Sequence, residues 1–387
     1  MLGKLIKAAK EVATAATGSE SEAVGTVVAA AGAADADSVT GIAKGIKAIV
    51  DAVGGDAKLT AANGEDNKDA GKLFGKSDNG AQAKDASKAA GAVSAVSGEQ
   101  IIKAIVDAAG KGDKDQVGVK ANEAKNPIAA AIGKDDEDAK AFEKMKKDDQ
   151  IAAAIALRGM AKDGKFAVKN ANEADAKGAV KSAAESAVTE VSGLLEKLIT
   201  AAKEVADAAT GGASEAVGTV VEAKDAAVAD KNSVTGIAKG IKAIVDAVGG
   251  DAKLTAAAAN GEDNKDAGKL FGKSDNGGDA KDASKAAGAV SAVSGEQIIK
   301  AIVAAAGTDD QEQKGAKASE AKNPIAAAIG KDDDDAAAFD NEMKKDDQIA
   351  AAIALRGMAK DGKFAVKNAN EADAKGAVKR LVDCWGS

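Results

Sequence analysis

Residues Met145–Lys181 read MKKDDQIAAAIALRGMAKDGKFAVKNANEADAKGAVK, and residues Met343–Lys379 repeat this stretch without a change. The stretch contains an apolar run, Ile151–Leu157, which two aspartates, Asp148 and Asp149, precede. Alanine fills most of the run and is the strongest helix former, and negative charge is favoured in the first turn of a helix. Because the run is apolar almost all the way round, we predict a helix that other helices surround.

The repeat extends over nearly the whole chain of 387 residues. Residues 194–379 repeat residues 1–181, and a period of this length indicates a duplicated module rather than a solenoid. We therefore predict a first module over 1–181, a helical junction over 182–193 and a second module over 194–379. Residues 380–387 read RLVDCWGS, match nothing in the first copy and are interpreted as an unrelated tail.

The two copies differ from each other in clusters. The differences fall mainly at 14–37, 81–82, 107–122 and 137–144, counted in the first copy. These windows are rich in Gly, Asp, Lys, Gln and Ala, a composition typical of loops and exposed faces. We expect substitutions there to change stability by less than about 0.5 kcal/mol, because exposed positions tolerate exchange.

Helical patterns dominate the rest of the sequence. Strand signals are weak, since no alternation of β-branched or aromatic residues persists. Glu173–Thr210 lacks Pro and carries apolar residues at helical spacing, so we predict one long helix, or two helices meeting near Gly193. The fold class is predicted as all-α: two tandem helical-bundle modules joined by a long helix, with variable loops rich in Gly, Asp and Lys. Periodicity and capping patterns predict helices over Val39–Val53, closed by Gly54-Gly55; over Ile101–Ala109, opened by a capping box of Ser97 and Gln100; and from Asn126-Pro127 to Gly133.

The composition argues against most catalytic and metal chemistry. His is absent, so the usual general base and metal ligand is missing. Cys384 is the single cysteine, so no intrachain disulfide can form. The formal net charge of −8 disfavours a nucleic-acid surface, because such surfaces depend on clustered Lys and Arg. We predict no catalytic, cofactor-binding or metal-binding residues, no cofactor and no nucleic-acid partner.

Two motifs resemble ligand sites only in part. Gly71–Ser77 resembles the end of a P-loop, but Ala70 stands where that pattern needs its first Gly, and no apolar strand precedes it. We interpret this segment as a loop that Phe74 anchors. Asp135–Asp138 and Asp332–Asp335 are acidic runs without the Gly and the terminal Glu of an EF-hand, and we interpret them as solvated faces.

Arg158 and Arg356 are the only arginines before the tail. Each directly follows the apolar run of its module. We expect each to pair with a nearby Asp or with the carbonyl end of a helix, and we assign neither a ligand role.

Export and membrane signals are not found in the sequence. Met1–Gly18 reads MLGKLIKAAKEVATAATG and lacks the apolar h-region and cleavage site of a signal peptide. No run approaches the roughly 18 apolar residues that span a bilayer. We also find no cysteine placed for lipidation.

Several blocks resemble the cassette region of the variable major surface lipoproteins of spirochaetes, a family that includes the VlsE-type and variable large proteins. The resemblance covers nearly all of both copies. It implies an all-helical surface lipoprotein whose shared blocks form the core and whose variable windows form loops distal to the membrane. The blocks of the first copy are MKKDDQIAAAIALRGMAKDGKFAVK at 145–169, GIAKGIKAIVDAVGG at 41–55, GKLFGKSDNG at 71–80, ASKAAGAVSAVSGEQII at 86–102 and EAKNPIAAAIG at 123–133.

The resemblance also implies a function. It implies antigenic variation, in which exchanged cassette segments remove the target of host antibodies, and a location on the cell outer membrane through a lipid anchor. We therefore expect a surface antigen, or a donor cassette for one, that is not an enzyme and whose partners are host antibodies. The alternatives are an adhesin module that binds host surface or matrix components, and a disordered desiccation-type protein, which the regular Ile and Leu stripes disfavour.

Overall fold

The structure is a computed structural model in which two compact units, 1–199 and 200–387, are distinguished. Each unit is described by itself. The described residues are 12, 14–15, 24–29, 31–52, 61, 64–75, 81–112, 116–134, 139–169, 174–209, 219–222, 228–247, 254, 263–272, 277–308, 313–332 and 336–367.

The described elements follow the same order in both units. Unit 1 contains β1 (Val27–Val28), α1 (Ala36–Ala52), a 3₁₀ helix (Lys68–Phe74), α2 (Ala83–Ser94), α3 (Gly98–Ala109), α4 (Pro127–Ile132), α5 (Asp148–Met160), β2 (Phe166–Ala167) and the greater part of α6 (Ala174–Ala209). Unit 2 contains the end of α6, β3 (Val220–Glu222), α7 (Lys231–Ala247), a 3₁₀ helix (Lys265–Phe271), α8 (Ala280–Ser291), α9 (Gly295–Ala306), α10 (Pro324–Ile329), a second 3₁₀ helix (Asn341–Lys344), α11 (Asp346–Met358) and β4 (Phe364–Val366).

The central helix of unit 1 is α5, the apolar run of the repeated stretch. Every residue from Ile151 to Arg158 is buried, and α1, α2, α3 and α4 all pack against this helix. Full burial of one side chain such as Ile151 stabilises the fold by roughly 1.5–3 kcal/mol. The prediction of a helix surrounded by others is confirmed, and α11 repeats the arrangement in unit 2, where Ile349 and Leu355 are fully buried.

Capping residues set the ends of two helices as predicted. The Ser97 amide donates to Gln100 Oε1 at 2.9 Å and Ser97 Oγ accepts from the Gln100 amide at 3.4 Å, which starts α3. Asn126 Oδ1 accepts from the Ala129 amide at 3.0 Å and starts α4, which ends at Gly133 with a positive φ of 70°. The third predicted helix is α1; its closing pair Gly54-Gly55 lies outside the described residues.

Short parallel strands are present that the sequence did not reveal. In unit 1, Val27 pairs with Phe166 and Val28 with Ala167. In unit 2, Val220–Glu222 pairs with Phe364–Val366. Strands of two or three residues are too short to show the alternation of side chains that identifies a strand in a sequence. The fold class remains all-α, as predicted.

A single helix, α6, forms the join. It runs from Ala174 to Ala209 without a break at Gly193, so the prediction of one long helix is confirmed and that of two helices meeting there is not. The boundary between the units falls within it, after Ile199.

Phenylalanine side chains form the centre of each core. The Phe74 ring lies 5.4 Å from that of Phe142 and 5.6 Å from that of Phe166, centroid to centroid. A Cβ on Gly71 would lie 2.6 Å from the Phe142 amide nitrogen, so only glycine allows this approach. In the segment that resembles a P-loop, residues 71–74 belong to the 3₁₀ helix rather than to the predicted loop, and Phe74 anchors it as expected. Lys76 and Ser77 lie outside the described residues.

Candidate functional site: the variable surface

In the window 107–122, exposed residues vary between the copies and buried residues are identical among those described. Its residues that differ between the copies and are described are exposed or partly exposed, whereas the identical residues Ala108, Gln116 and Ala121 are buried. Val117 is 61% exposed and Lys314 stands at its position in the second copy. The prediction of surface variation is confirmed for this window. The differing described positions are 107, 111, 112, 117, 119 and 122.

An identical glutamine holds the loop after α3 in both units. Gln116 Nε2 donates to the carbonyl oxygen of Lys111 at 2.9 Å, and Gln313 Nε2 donates to that of Thr308 at 2.8 Å. Both bonds go to backbone atoms. The side chain at the accepting position can therefore change from Lys to Thr while the hydrogen bond persists.

An identical glycine fixes the other side of the same loop. A Cβ on Gly118 would overlap the carbonyl oxygen of Gly133, and one on Gly315 would overlap that of Gly330. The next residue, Val119, donates from its amide to the Ala129 carbonyl at 3.3 Å. The loop is thus attached to α4 by backbone contacts, and the variable residues described in it are exposed or partly exposed.

The described residues of the window 137–144 show the same distribution of exposed variable residues and a buried identical residue. Lys140, Glu143 and Lys144 are exposed and differ between the copies, while the identical Phe142 is fully buried. The second copy has one extra residue here, and its chain forms the 3₁₀ helix Asn341–Lys344, to which unit 1 has no counterpart. A change of length is accommodated by a local turn.

The window 81–82 corrects the prediction. Ala81 is only 1% exposed and forms an isolated parallel bridge with Val168, although Gly278 replaces it in the second copy. Gly278 forms the equivalent bridge with Val366, because the bridge uses backbone atoms alone. This buried position varies since the exchange removes one methyl group and leaves the pairing intact.

Arg158 is fully buried. Its Nη1 donates to the carbonyl oxygens of Ala131 at 2.9 Å and Ile132 at 3.4 Å, and its Nε donates to Lys165 O at 2.7 Å. Its Nη2 donates to Gly32 O. The guanidinium therefore joins the carbonyl end of α4 to two loops, which confirms the predicted pairing with a helix terminus.

A buried carboxylate lies at the start of each central helix. Asp346 Oδ1 accepts from Asn264 Nδ2 at 2.8 Å, and Asp148 Oδ1 accepts from Asn67 Nδ2 at the same distance. Burial raises the pKa of the Asp346 carboxyl, the hydrogen bond from Asn264 opposes the shift, and the negative charges of Asp263 and Asp347 add to it. In unit 2, the hydrogen bond of Asp346 connects α11 to the start of the 3₁₀ helix Lys265–Phe271. In unit 1, the hydrogen bond of Asp148 connects α5 to the start of the 3₁₀ helix Lys68–Phe74.

Comparison with known proteins gives the family. The model of the Borrelia lipoprotein family matches residues 1–191 and again residues 189–382. The chain belongs to the Borrelia lipoprotein family.

Two curated relatives of this Borrelia lipoprotein family member are variable large proteins by name. Variable large protein 4 of Borrelia hermsii is 40% identical over 230 residues, which make up 57% of this chain and 63% of that protein. Variable large protein 17 of the same species is 37% identical over 206 residues, 49% of this chain and 55% of that protein. The chain thus spans less than two thirds of the length of these curated relatives.

A solved structure is also similar. The Lyme disease variable surface antigen VlsE of Borrelia burgdorferi is 58% identical, with 52% of this chain and 69% of that chain covered and a TM-score of 0.48. The family match over both copies and the two variable large proteins confirm the resemblance to this group.

This Borrelia lipoprotein family member also has a small cleft and two acidic runs, most of whose residues are not described by the structure. A cleft of about 70 Å³ lies between Asp107, Lys111 and Asp149, well below the roughly 300 Å³ of ligand pockets. Among the described residues, no three acidic or cysteine side chains are grouped for a metal ion. Asp135–Asp138 and Asp333–Asp335 lie outside the described residues.

Among the described residues, no single helix is long and apolar enough to cross a bilayer. Two helix pairs, α2 with α3 and α8 with α9, are together long and apolar enough by length and composition only. Each pair is bent by 97°. Their apolar residues form part of the core.

Proposed function

We propose that this chain is a surface antigen, or a donor of sequence for one, that acts in antigenic variation and evasion of host antibody. One observation carries the proposal: among the described residues of the windows 107–122 and 137–144, those that differ between the copies are exposed or partly exposed, and the buried ones are the same. Selection for packing alone explains the constant core. The changes at the surface alter what a binding protein would contact.

The loop after α3 has the properties of an exchangeable epitope. Its attachments are Gln116, Gly118 and backbone hydrogen bonds, none of which uses a variable side chain. The variable positions change charge and shape together, as when Val117 in one copy is Lys314 in the other. Contacts at the centre of an antibody interface each contribute up to a few kcal/mol, so such changes suffice to abolish recognition.

Three further points belong to this proposal. The partners are host antibodies, the location is the cell surface through a lipid anchor, and the chain has no catalytic activity. The family of lipoproteins supports the location, and the absence of His from the sequence supports the lack of acid–base catalysis.

The proposal is tested with monoclonal antibodies raised against the folded chain and mapped to the loop after α3. Binding to the parent is compared with binding to the variant Lys111→Thr, Gly112→Asp, Val117→Lys, which carries the residues of the second copy. We expect affinity to fall by about tenfold or more, equivalent to ~1.4 kcal/mol. The matched control is Glu123→Gln, an exposed position that is identical in both copies, and binding should persist.

The outcome that contradicts the proposal is equal recognition of parent and variant by every antibody that binds this loop. Protease treatment of intact cells that express the chain tests location separately, because a surface protein loses the loop epitope and an internal protein keeps it. Antibodies against the peptide 145–169 should bind the unfolded chain in both copies and bind the folded chain poorly, because α5 and α11 are buried.

A further inference from the structure

An exposed apolar side chain lies within the variable loop after α3. Among the residues that the structure describes, two large apolar side chains are exposed, Val117 at 61% and Ile199 at 41%. Ile199 corresponds to an identical residue, Ile6, in the first copy, whereas Val117 corresponds to Lys314 in the second. Val117 is therefore the one of these two side chains that differs between the copies.

The residue before Val117 is fixed to the end of α3. Gln116 is buried, and its Nε2 donates to the carbonyl oxygens of Ala109 at 3.3 Å and Lys111 at 2.9 Å. These two hydrogen bonds hold the chain on the N-terminal side of Val117.

The residues after Val117 are fixed to α4. A Cβ on Gly118 would overlap the carbonyl oxygen of Gly133, so the two backbone segments are in direct contact there. The Val119 amide then donates to the carbonyl oxygen of Ala129 at 3.3 Å. Val117 is thus a single exposed residue between two attachments.

The same attachments surround a charged side chain in unit 2. Gln313 Nε2 donates to the carbonyl oxygen of Thr308 at 2.8 Å, and a Cβ on Gly315 would overlap the carbonyl oxygen of Gly330. Lys314 lies between them and is exposed. Each loop therefore presents one side chain from a backbone that is held on both sides, and that side chain is apolar in one copy and cationic in the other.

A held backbone lowers the cost of binding at this position. Ordering of loops and side chains is part of the cost of association, so a partner gains more from a side chain that is already in place. Valine adds little to that cost, because its branched side chain has one torsion with restricted rotamers. An apolar pocket suits this side chain, and the Tyr and Trp side chains that are enriched in antibody combining sites supply such surface.

The pocket that accepts valine excludes lysine. Burial of an unpaired ammonium group costs far more than the loss of one apolar contact. Specific interfaces commonly use such a repulsive element in addition to attractive contacts. Exchange at Lys111 or Gly112 has a smaller effect, because changes among solvated groups at the rim of an interface act mainly on the rate of association.

We infer that position 117, with its counterpart 314, determines which antibody recognises the loop after α3. A host antibody binds the loop of unit 1 with an apolar pocket over Val117, and one that binds the loop of unit 2 places an acidic pocket over Lys314. The assignment rests on the antigenic role proposed above and specifies the chemistry of the partner.

The test separates the triple variant Lys111→Thr, Gly112→Asp, Val117→Lys into its parts. The probes are monoclonal antibodies that bind the folded full-length chain at the loop of unit 1. Val117→Lys alone should weaken binding by about tenfold or more, whereas the double variant Lys111→Thr, Gly112→Asp should weaken it by less than about threefold. Val117→Ile keeps an apolar side chain and should be bound about tenfold more tightly than Val117→Lys.

The outcomes distinguish this assignment from the antigenic role itself. A triple variant that every antibody binds as well as the parent overturns both. Loss of binding by the triple variant with retention by Val117→Lys overturns the assignment of position 117 and leaves the antigenic role intact. Equal binding of Val117→Lys and Val117→Ile overturns the apolar pocket. Circular dichroism of each variant should match that of the parent, because the replaced side chains are exposed.

The duplicated chain supplies a matched pair of variants for the attachment. Gln116→Ala removes both hydrogen bonds while Val117 stays in the sequence, and it should weaken binding to the loop of unit 1 by roughly fivefold, because the loop must then be ordered on binding. Gln313→Ala makes the same change in unit 2 and should leave that binding unchanged. If Gln116→Ala lowers the helix content, Gln116→Met, which keeps the length of the side chain without the donor, replaces it. Unchanged affinity in the Gln116 variant overturns the held presentation of Val117.

Discussion

Arg158 Nη1 lies 2.9 Å from the carbonyl oxygen of Ala131, the last turn of α4, and Arg356 repeats this hydrogen bond to Ala328 at 3.0 Å in unit 2. The guanidinium also lies over the Phe74 ring, with its Cζ 5.3 Å from the ring centroid. One side chain thus connects the aromatic centre of the core to the loops that surround it. Arginine suits this position because its planar fork presents several donors in fixed directions.

Replacement of this arginine should destabilise one unit selectively. Arg158→Met keeps an apolar stem but leaves the carbonyls of Gly32, Ala131 and Lys165 without this donor, and removing one partner of a buried polar network costs roughly 3–5 kcal/mol. Hydrogen exchange by mass spectrometry should show loss of protection across α5 while α11 stays protected. The comparison uses peptides that contain position 158 or 356, because only the substitution distinguishes the masses of the two helices.

The matched variant Arg356→Met should show the reverse, with loss of protection in α11 only. Unchanged protection in α5 of the Arg158→Met chain would show that the arginine does not hold the loops together.

Replacing glycine by alanine should stabilise the fold where the new Cβ meets open space and destabilise it where the Cβ would overlap another atom. Gly178 and Gly193 lie inside α6 with nothing within 4 Å of a new Cβ, so Gly→Ala at either should stabilise by about 0.5–1 kcal/mol through helix propensity. Gly164→Ala should destabilise unit 1, because its Cβ would overlap the carbonyl oxygen of Arg158. Thermal unfolding measured by circular dichroism compares the three variants, and a stabilising Gly164→Ala would refute the packing described.

The pKa of Asp346 predicts a dependence of stability on pH. Because the folded-state pKa is raised above its ordinary value of 3.8, this group contributes stability that is fully present below that value and is lost as pH rises through the folded pKa. Asp346→Asn retains an acceptor for Asn264 without the buried charge. At pH 7 this variant should therefore be at least as stable as the parent, and its relative stability should fall as the pH is lowered through the raised folded pKa towards 3.8.

Urea unfolding of unit 2 at pH 7 and at acid pH measures this effect. Glu320→Gln serves as the control, since Glu320 is an exposed acidic residue of the same unit. If the free energy of unfolding of the parent instead rises relative to that of Asp346→Asn as the pH rises, the result contradicts burial as the dominant cause of the pKa shift.

Exchange at the loop after α3 should be nearly neutral for stability. Lys111→Thr, Gly112→Asp and Val117→Lys each replace an exposed residue by that of the other copy and should change the free energy of unfolding by less than about 0.5 kcal/mol. Gln116→Ala removes the hydrogen bonds to the carbonyls of Ala109 and Lys111 and should cost about 1–3 kcal/mol. Chemical denaturation compares the free energy of unfolding of the three exchange variants with that of Gln116→Ala. Similar losses of stability in all four would mean that Gln116 does not anchor the loop.

The sequence predicted the parts of the fold that depend on neighbouring residues. Helix α5, the capping box of Ser97 and the start of α4 all follow from residues within one or two turns of each other. The partners of Arg158 were beyond reach, because Gly32 and Ala131 lie 126 and 27 residues away in the chain. The bridge of Ala81 to Val168 was missed for the same reason, since a backbone contact between distant segments leaves no local pattern.

The unbroken helix α6 limits where the chain tolerates a change of length. The two copies differ in length between residues 29 and 34, at Ala258-Ala259 and after Lys144, and none of these places falls within a described α-helix. One residue added inside Ala174–Ala209 would rotate everything beyond it by about 100° about the helix axis and turn its apolar stripe away from the partner. A change of length within this helix would therefore disturb its packing, whereas the length differences between the copies lie outside the described α-helices.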